Sequence, residues 1–288
     1  TAFSDSVPML FLPLGHPSAR EGVTPMYNSL KSYDSVTKHI ERVNSPERAG
    51  ASLRRAFSAM RMGKPGPAML EIPADIAVQD VDPSIVDAYV PVKTAVSSAD
   101  ENDVMAAAKA LLDARRPLLV AGQGVLYAEA SAELTELAEL LQIAVSTTMA
   151  GKSAFSEMHP LSVGSVSEVM NGAALEYMRE SDVLFGIGTS FTIQGMVTPY
   201  PAGKTLIHAT NDPVDLHKDY IAGHPLLGDA RLVLRQMIEA CEELLSTRER
   251  ETPDTAARIS ALRSAWYGEW ESKLTSSESP ITPYRVLG

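Results

Sequence analysis

The chain has 288 residues and a mass of 31.0 kDa, room for one large domain or two modest ones. Apolar residues make up 45% and charged residues 21%, which argues against disorder over the whole length. A net charge of −11 argues against a nucleic-acid binder, which needs a basic face. It still permits a small anion held by backbone N–H groups. Cys241 is the one cysteine, so no internal disulfide or cysteine zinc site can form. A reducing, cytoplasmic setting fits. The early apolar stretch 7–14 is broken by Pro8 and Pro13 and falls far short of the ~20 residues of a membrane helix. No charged-then-apolar signal segment opens the chain, so no membrane partner is expected. The start, Thr1-Ala2-Phe3 without Met, is expected of an internal piece of a longer protein.

Residues 7–12 predict a buried strand, stopped by Pro13 and Gly15. Residues 45–62 predict a helix, with Ser45 as N-cap, Pro46 in the first turn, and Leu53, Ala56, Phe57 and Met60 at helical spacing. Gly63-Lys64-Pro65-Gly66-Pro67 must break it, and 68–72 is a short strand ended by Pro73. Residues 81–98 read as a linker with no helical period. From 99 to 245 helices and strands alternate: helix 103–114, strand 117–121, helix 128–141, strand 143–147, helix 172–179, strands 182–187 and 205–209, and an amphipathic helix 229–245. Strands separated by helices require parallel crossovers. Their continuous apolar character predicts a doubly wound α/β sheet covered on both faces. The tail adds a charged helix over 256–274 and a last turn at 284–288.

Gly122-Gln123-Gly124 follows a strand and precedes a helix, the place where a glycine turn admits a phosphate. The third glycine of the dinucleotide fingerprint is replaced by Tyr127, so a plain strand-to-helix turn is an equal reading. Gly186, Gly188 and the hydroxyls of Thr189 and Ser190 end a second strand, and Gly164-Ser165 makes a third glycine turn. One shared crevice would collect Gly122, Gly124, Gly164, Gly186 and Gly188. Asp212 could hold a ribose hydroxyl, but Asp before Pro213 is more commonly a helix cap. The six histidines form no HxH or HxxxH pair, so no metal site is indicated, and the twelve methionines are scattered, as core filling would have them.

The run Gly63-Lys64-Pro65-Gly66-Pro67-Ala68-Met69-Leu70-Glu71-Ile72-Pro73-Ala74-Asp75 resembles the end of the pyrimidine-binding domain in thiamine diphosphate enzymes of the acetolactate synthase-like family. Asp5-Ser6-Val7-Pro8-Met9-Leu10 resembles an upstream strand of that domain, and Val36-Thr37-Lys38 its step before a helix. Arg116-Pro117-Leu118-Leu119-Val120-Ala121-Gly122-Gln123-Gly124 is similar to the opening of the family's central domain, Gly228-Asp229 to the step before its last helix, and 281–287 to the threshold of the diphosphate-binding domain. The resemblance implies the last part of a pyrimidine-binding domain over 1–80, a linker over 81–98, a central domain over 99–245, and a further linker with the start of a third domain over 246–288.

It also implies an enzyme that decarboxylates a 2-oxo acid and then ligates or protonates the product, with thiamine diphosphate and Mg2+ as cofactors. A homodimer or homotetramer is implied, since the family's active site lies between subunits. The family's catalytic glutamate and its magnesium motif have no counterpart in this chain, so the chain alone is expected to be inactive. His16 and Lys38 fall near the substrate channel of the family. In the central domain, relatives bind FAD, ADP or neither. Gly188 stands where FAD-binding members carry an arginine, and Gly164-Ser165-Val166 where they carry another turn. Two rival readings are a stand-alone nucleotide-binding or scaffolding module and a nicotinamide-dependent oxidoreductase. The incomplete glycine fingerprint and the lack of a convincing catalytic His or Lys count against the second.

Overall fold

A computed structural model of the chain describes residues 1–87, 89–166, 171–193, 195, 198–248, 251 and 253–287. It divides into two units, Thr1–Val96 and Ser97–Gly288. The first contains β1 (Leu10–Phe11), β2 (Leu14–Gly15), α1 (Ser29–Tyr33), β3 (His39–Arg42), α2 (Ala49–Arg61), β4 (Ala68–Pro73), α3 (Ala74–Ala77) and α4 (Ser84–Asp87). β4 is the central strand. β3 pairs with it in parallel on one side, and β1 and β2 on the other, in the registers Leu10↔Ala68 and Leu14↔Ile72. α2 covers β4 by burying Ala56 and Met60 against Ala68 and Leu70.

Three expectations need correction in this unit. The strand expected over 7–12 shrinks to two residues, and Met9, Phe11 and Leu12 are exposed. In this chain the segment forms a sheet edge from which Leu10 packs on the core, and Pro13 interrupts the edge because it has no N–H to donate. The helix expected over 45–62 starts later. Pro46–Arg48 is a 3-10 turn and Ser45 makes no cap bond. Its side chain instead hydrogen-bonds Glu47, which holds that carboxyl below its usual range. Val36-Thr37-Lys38 leads into strand β3, not a helix. His-Ile-Glu-Arg contains no apolar run, which is why the strand was not legible.

The second unit contains α5 (Glu101–Asp113), β5 (Pro117–Ala121), α6 (Gln123–Tyr127), α7 (Ser131–Leu141), β6 (Ala144–Thr147), β7 (Ser162–Ser165), α8 (Gly172–Glu180), β8 (Val183–Ile187), β9 (Thr205–Thr210), β10 (His224–Leu227), α9 (Ala230–Thr247), α10 (Thr255–Leu274) and α11 (Pro283–Leu287). Six parallel strands lie in the order β10-β9-β8-β5-β6-β7. Alternate residues face opposite ways. Leu119, Ala121, Val145, Phe185 and Ile207 join α5, α7 and α9 in one core, and Leu118, Val120, Ala144, Leu184 and Leu206 join α8 and Ile259 of α10 in another. This is a doubly wound sheet. Side-chain caps start the helices: Asp100 on α5, Asn171 on α8, Asp229 on α9 and Asp254 on α10. The helix expected over 128–141 starts at Ser131, and the short helix α6 before it is additional; Glu129 at φ 52° lies between the two. β7 and β10 are additional edge strands, polar in one case and carrying Pro225 in the other. Among the described residues of the linker 81–98 there is one helical turn, α4.

Candidate functional site

Open parallel sheets bind ligands beyond the carboxyl ends of their strands, where the strand order reverses. Here the reversal falls between β5 and β8, since β6 lies on one side of β5 and β8 on the other. The structure brings four of the expected glycines to this point. The Gly122 N–H donates to the Ile187 carbonyl at 2.9 Å, and the Gly124 N–H to the Gly188 carbonyl at 2.9 Å. Gly188, at φ 62°, donates its own N–H to Ala209 at 3.0 Å. A Cβ on Gly122 would lie 2.2 Å from the Gly188 carbonyl oxygen, and one on Gly124 2.6 Å from the Gly188 Cα. Gly186 serves a different need. A Cβ there would meet the Phe191 ring at 1.9 Å, so glycine makes room for the ring.

Phe191 packs edge-on against Tyr200, Tyr220 and His208. His208 is buried on β9, and burial pushes it below its usual value while the hydrogen bond to Thr189 pulls the other way. Its Nε2 lies 2.8 Å from the Thr189 carbonyl, which can only accept, so Nε2 carries the proton. Burial also raises the Tyr200 phenol, with Tyr220 adding to the effect. Gly164 sits at the end of β7 at φ 94°, against the Asn171 side chain that caps α8. The Asp212 carboxylate accepts the Val214 N–H at 3.1 Å and caps a 3-10 turn over Pro213–Asp215.

In the first unit, His16 and Lys38 lie at opposite ends of the parallel sheet: His16 follows β2 and Lys38 precedes β3. The Lys38 ammonium is bound by the carbonyls of Met62 and Lys64, the latter at 2.7 Å, just past the end of α2. His16 is exposed and lines a shallow pocket with Glu21, Tyr27, Asn28, Arg42 and Glu71. The carboxylate of buried Glu71 accepts from the Ser29 hydroxyl and lies 3.0 Å from Arg42 Nε. Arg42 also pairs with Glu21 and reaches the His16 carbonyl at 3.4 Å. Gly15 permits this seat, since a Cβ there would lie 2.7 Å from the Glu71 carboxyl carbon. Sequence reasoning did not single out this cluster. Its signal was a lone glutamate inside the apolar run Ala-Met-Leu-Glu-Ile.

Residues 104–237 match the family model described as thiamine pyrophosphate enzyme, central domain. Over that stretch the chain carries a central domain of the thiamine pyrophosphate enzyme type. It is 33% identical over 263 residues to the probable acetolactate synthase large subunit of Methanocaldococcus jannaschii, covering 88% of this chain and 44% of that protein. It is 28% identical over 253 residues to the glyoxylate carboligase of Escherichia coli O157:H7, covering 85% and 42%. The fold is shared with the benzoylformate decarboxylase from Polynucleobacter necessarius at a TM-score of 0.69 and 20% identity, over 88% of this chain and 47% of that one. The chain spans about half the length of the curated relatives it matches. No cluster of three or more His, Cys, Asp or Glu able to hold a metal ion occurs among the described residues. No described helix is long and apolar enough to cross a membrane.

Proposed function

We propose that this chain is part of a thiamine diphosphate-dependent enzyme that decarboxylates a 2-oxo acid and ligates the acyl fragment to a second carbonyl, in the manner of acetolactate synthase. The observation that carries the reading is the likeness to acetolactate synthase large subunits over 88% of the chain. The likeness to a glyoxylate carboligase supports the same pairing of reactions. The cofactor supplies carbanion stabilisation, and the protein contributes binding, orientation and exclusion of water. In this reading residues 1–80 are the last part of the pyrimidine-binding domain and 81–98 a linker. Residues 99–245 are the central domain, and 246–288 lead into the diphosphate-binding domain. Mg2+ and the catalytic acid come from parts of the protein outside this chain, so the chain alone is inactive. The whole enzyme is a cytoplasmic homodimer or homotetramer. His16, on the loop held by the Arg42–Glu71 pair, faces the 2-oxo acid channel.

The test is product analysis. The longer protein is incubated with thiamine diphosphate, Mg2+ and either pyruvate or glyoxylate. A 2-hydroxy-3-oxo acid, formed from two substrate molecules with loss of one CO2, is expected from one of the two. Neither substrate giving such a product would defeat the reading.

A further inference from the structure

Glycines at a strand-to-helix turn ordinarily leave backbone N–H groups open, so that a pyrophosphate can approach them. In this chain the open sides of the turn face protein. The N–H groups of Gly122, Gly124 and Gly188 are each spent on a carbonyl of the neighbouring strand end, at 2.9, 2.9 and 3.0 Å. The Cβ-less faces press together, so closely that a Cβ on Gly188 would lie 2.7 Å from the Val125 nitrogen.

The loop after β6 closes the arrangement from the other side. The Thr148 N–H donates to the Ala121 carbonyl at 2.9 Å, and a Cβ on Gly151 would lie 2.4 Å from that same oxygen. Polar groups around the rim are turned inward as well. The Thr189 carbonyl is bonded by His208, the Ser190 and Thr192 hydroxyls bond each other at 2.8 Å, and the Asp212 carboxylate caps its own turn. Two lysines of this unit are ion-paired, Lys152 with Glu157 and Lys218 with Asp215, each at 2.6 Å.

We infer that the glycines at the switch point form a backbone clasp that locks β5 to β8 and β6, and that the second unit takes neither FAD nor ADP there. Phosphate binding at these glycines would require amides that are already bonded and a gap that backbone already fills. The fold positions a rigid platform at this point instead of a second cofactor. The inference is independent of the 2-oxo acid chemistry, because it concerns only this unit's own backbone.

The test uses the 288-residue chain with FAD and with ADP, by calorimetry and by thermal unfolding. The clasp predicts no saturable heat and no rise in unfolding temperature. A micromolar site would raise that temperature by roughly 10 °C at about 1 mM nucleotide. Saturable binding of either nucleotide would overturn the inference. A second arm examines the clasp itself. Gly188→Ala should lower the unfolding temperature by about 5 °C or more, since it places a Cβ against backbone at positive φ. Gly268→Ala, with nothing within 4 Å, serves as the control in the same unit and should match or slightly exceed the parent. A Gly188→Ala chain as stable as the parent would contradict the clasp. Where that variant fails to fold, the nucleotide titrations of the unaltered chain still decide.

Discussion

Every residue of β5, β6 and β8 in the second unit is buried, whereas in the first unit only β4 approaches that state. The edge beside β4 leaves Met9, Phe11, Leu12 and Leu14 exposed, with Leu14 at 70%. Similar apolar residues thus serve two ends. Between two helical layers they form a close-packed core, whereas along the edge of the first unit they are exposed in this chain. Burial on both faces, and not hydrophobicity alone, is what makes the second unit a rigid platform.

The largest expected contrast comes from truncating one side chain in each setting. Phe185 is fully buried, and Phe185→Ala should cost about 3–5 kcal/mol in urea unfolding. A loss below ~1 kcal/mol would mean that this core is loosely packed. A smaller effect is expected from the ion pairs that join helices. Glu133 of α7 is buried and accepts from Arg231 at 2.8 Å and Arg235 at 2.9 Å. Burial raises its carboxyl, but the arginine hydrogen bonds outweigh that and hold it below the usual range. Glu133→Gln should cost about 1–3 kcal/mol, because the amide oxygen still accepts but both arginines lose the charge they are paired with. A neutral result would show that α7 and α9 are held by apolar packing alone.

These contrasts also mark what was legible from residues. Pro117–Ala121 reads as a strand because five consecutive apolar residues have few other uses. β7 and β10 were not legible, because edge strands face half to solvent and tolerate serine, histidine and proline. The same logic applies to the candidate site. Glycines at strand ends announce a close approach, but the sequence does not say whether the approaching group is a phosphate or another backbone. Lys38 could be placed beside a channel by resemblance, yet its ammonium is held by carbonyls at the end of α2, contacts that only the fold brings together.

A pH experiment separates the units more finely. Glu41 of the first unit accepts two hydrogen bonds from Arg55, with further bonds from Ser52 and His39. Its carboxyl falls from 4.5 to about 2, chiefly through Arg55, with burial acting in the opposite direction. A depressed carboxylate stabilises the folded state above its unfolded value and loses that contribution as pH falls through the folded value. The Glu41 contribution is therefore complete above pH 4.5 and disappears between there and about 2. NMR titration of Glu41 should report the low value in the parent and a return toward 4.5 in Arg55→Met. An unshifted Glu41 in the parent would remove this pair from the account. The smallest effect is expected at the exposed edge, where Leu14→Ser should change stability by no more than about 0.5 kcal/mol.

The account's central claim is that this chain supplies the scaffold, and other parts of the same protein the cofactor chemistry, of a 2-oxo acid carboligase. The measurement that meets it most directly is CO2 release from pyruvate and glyoxylate with thiamine diphosphate and Mg2+, run in parallel on the 288-residue chain and on the longer protein. The account predicts release by the longer protein that depends on both additions, and none by the chain alone. Turnover by the isolated chain, or none by the longer protein, would contradict it.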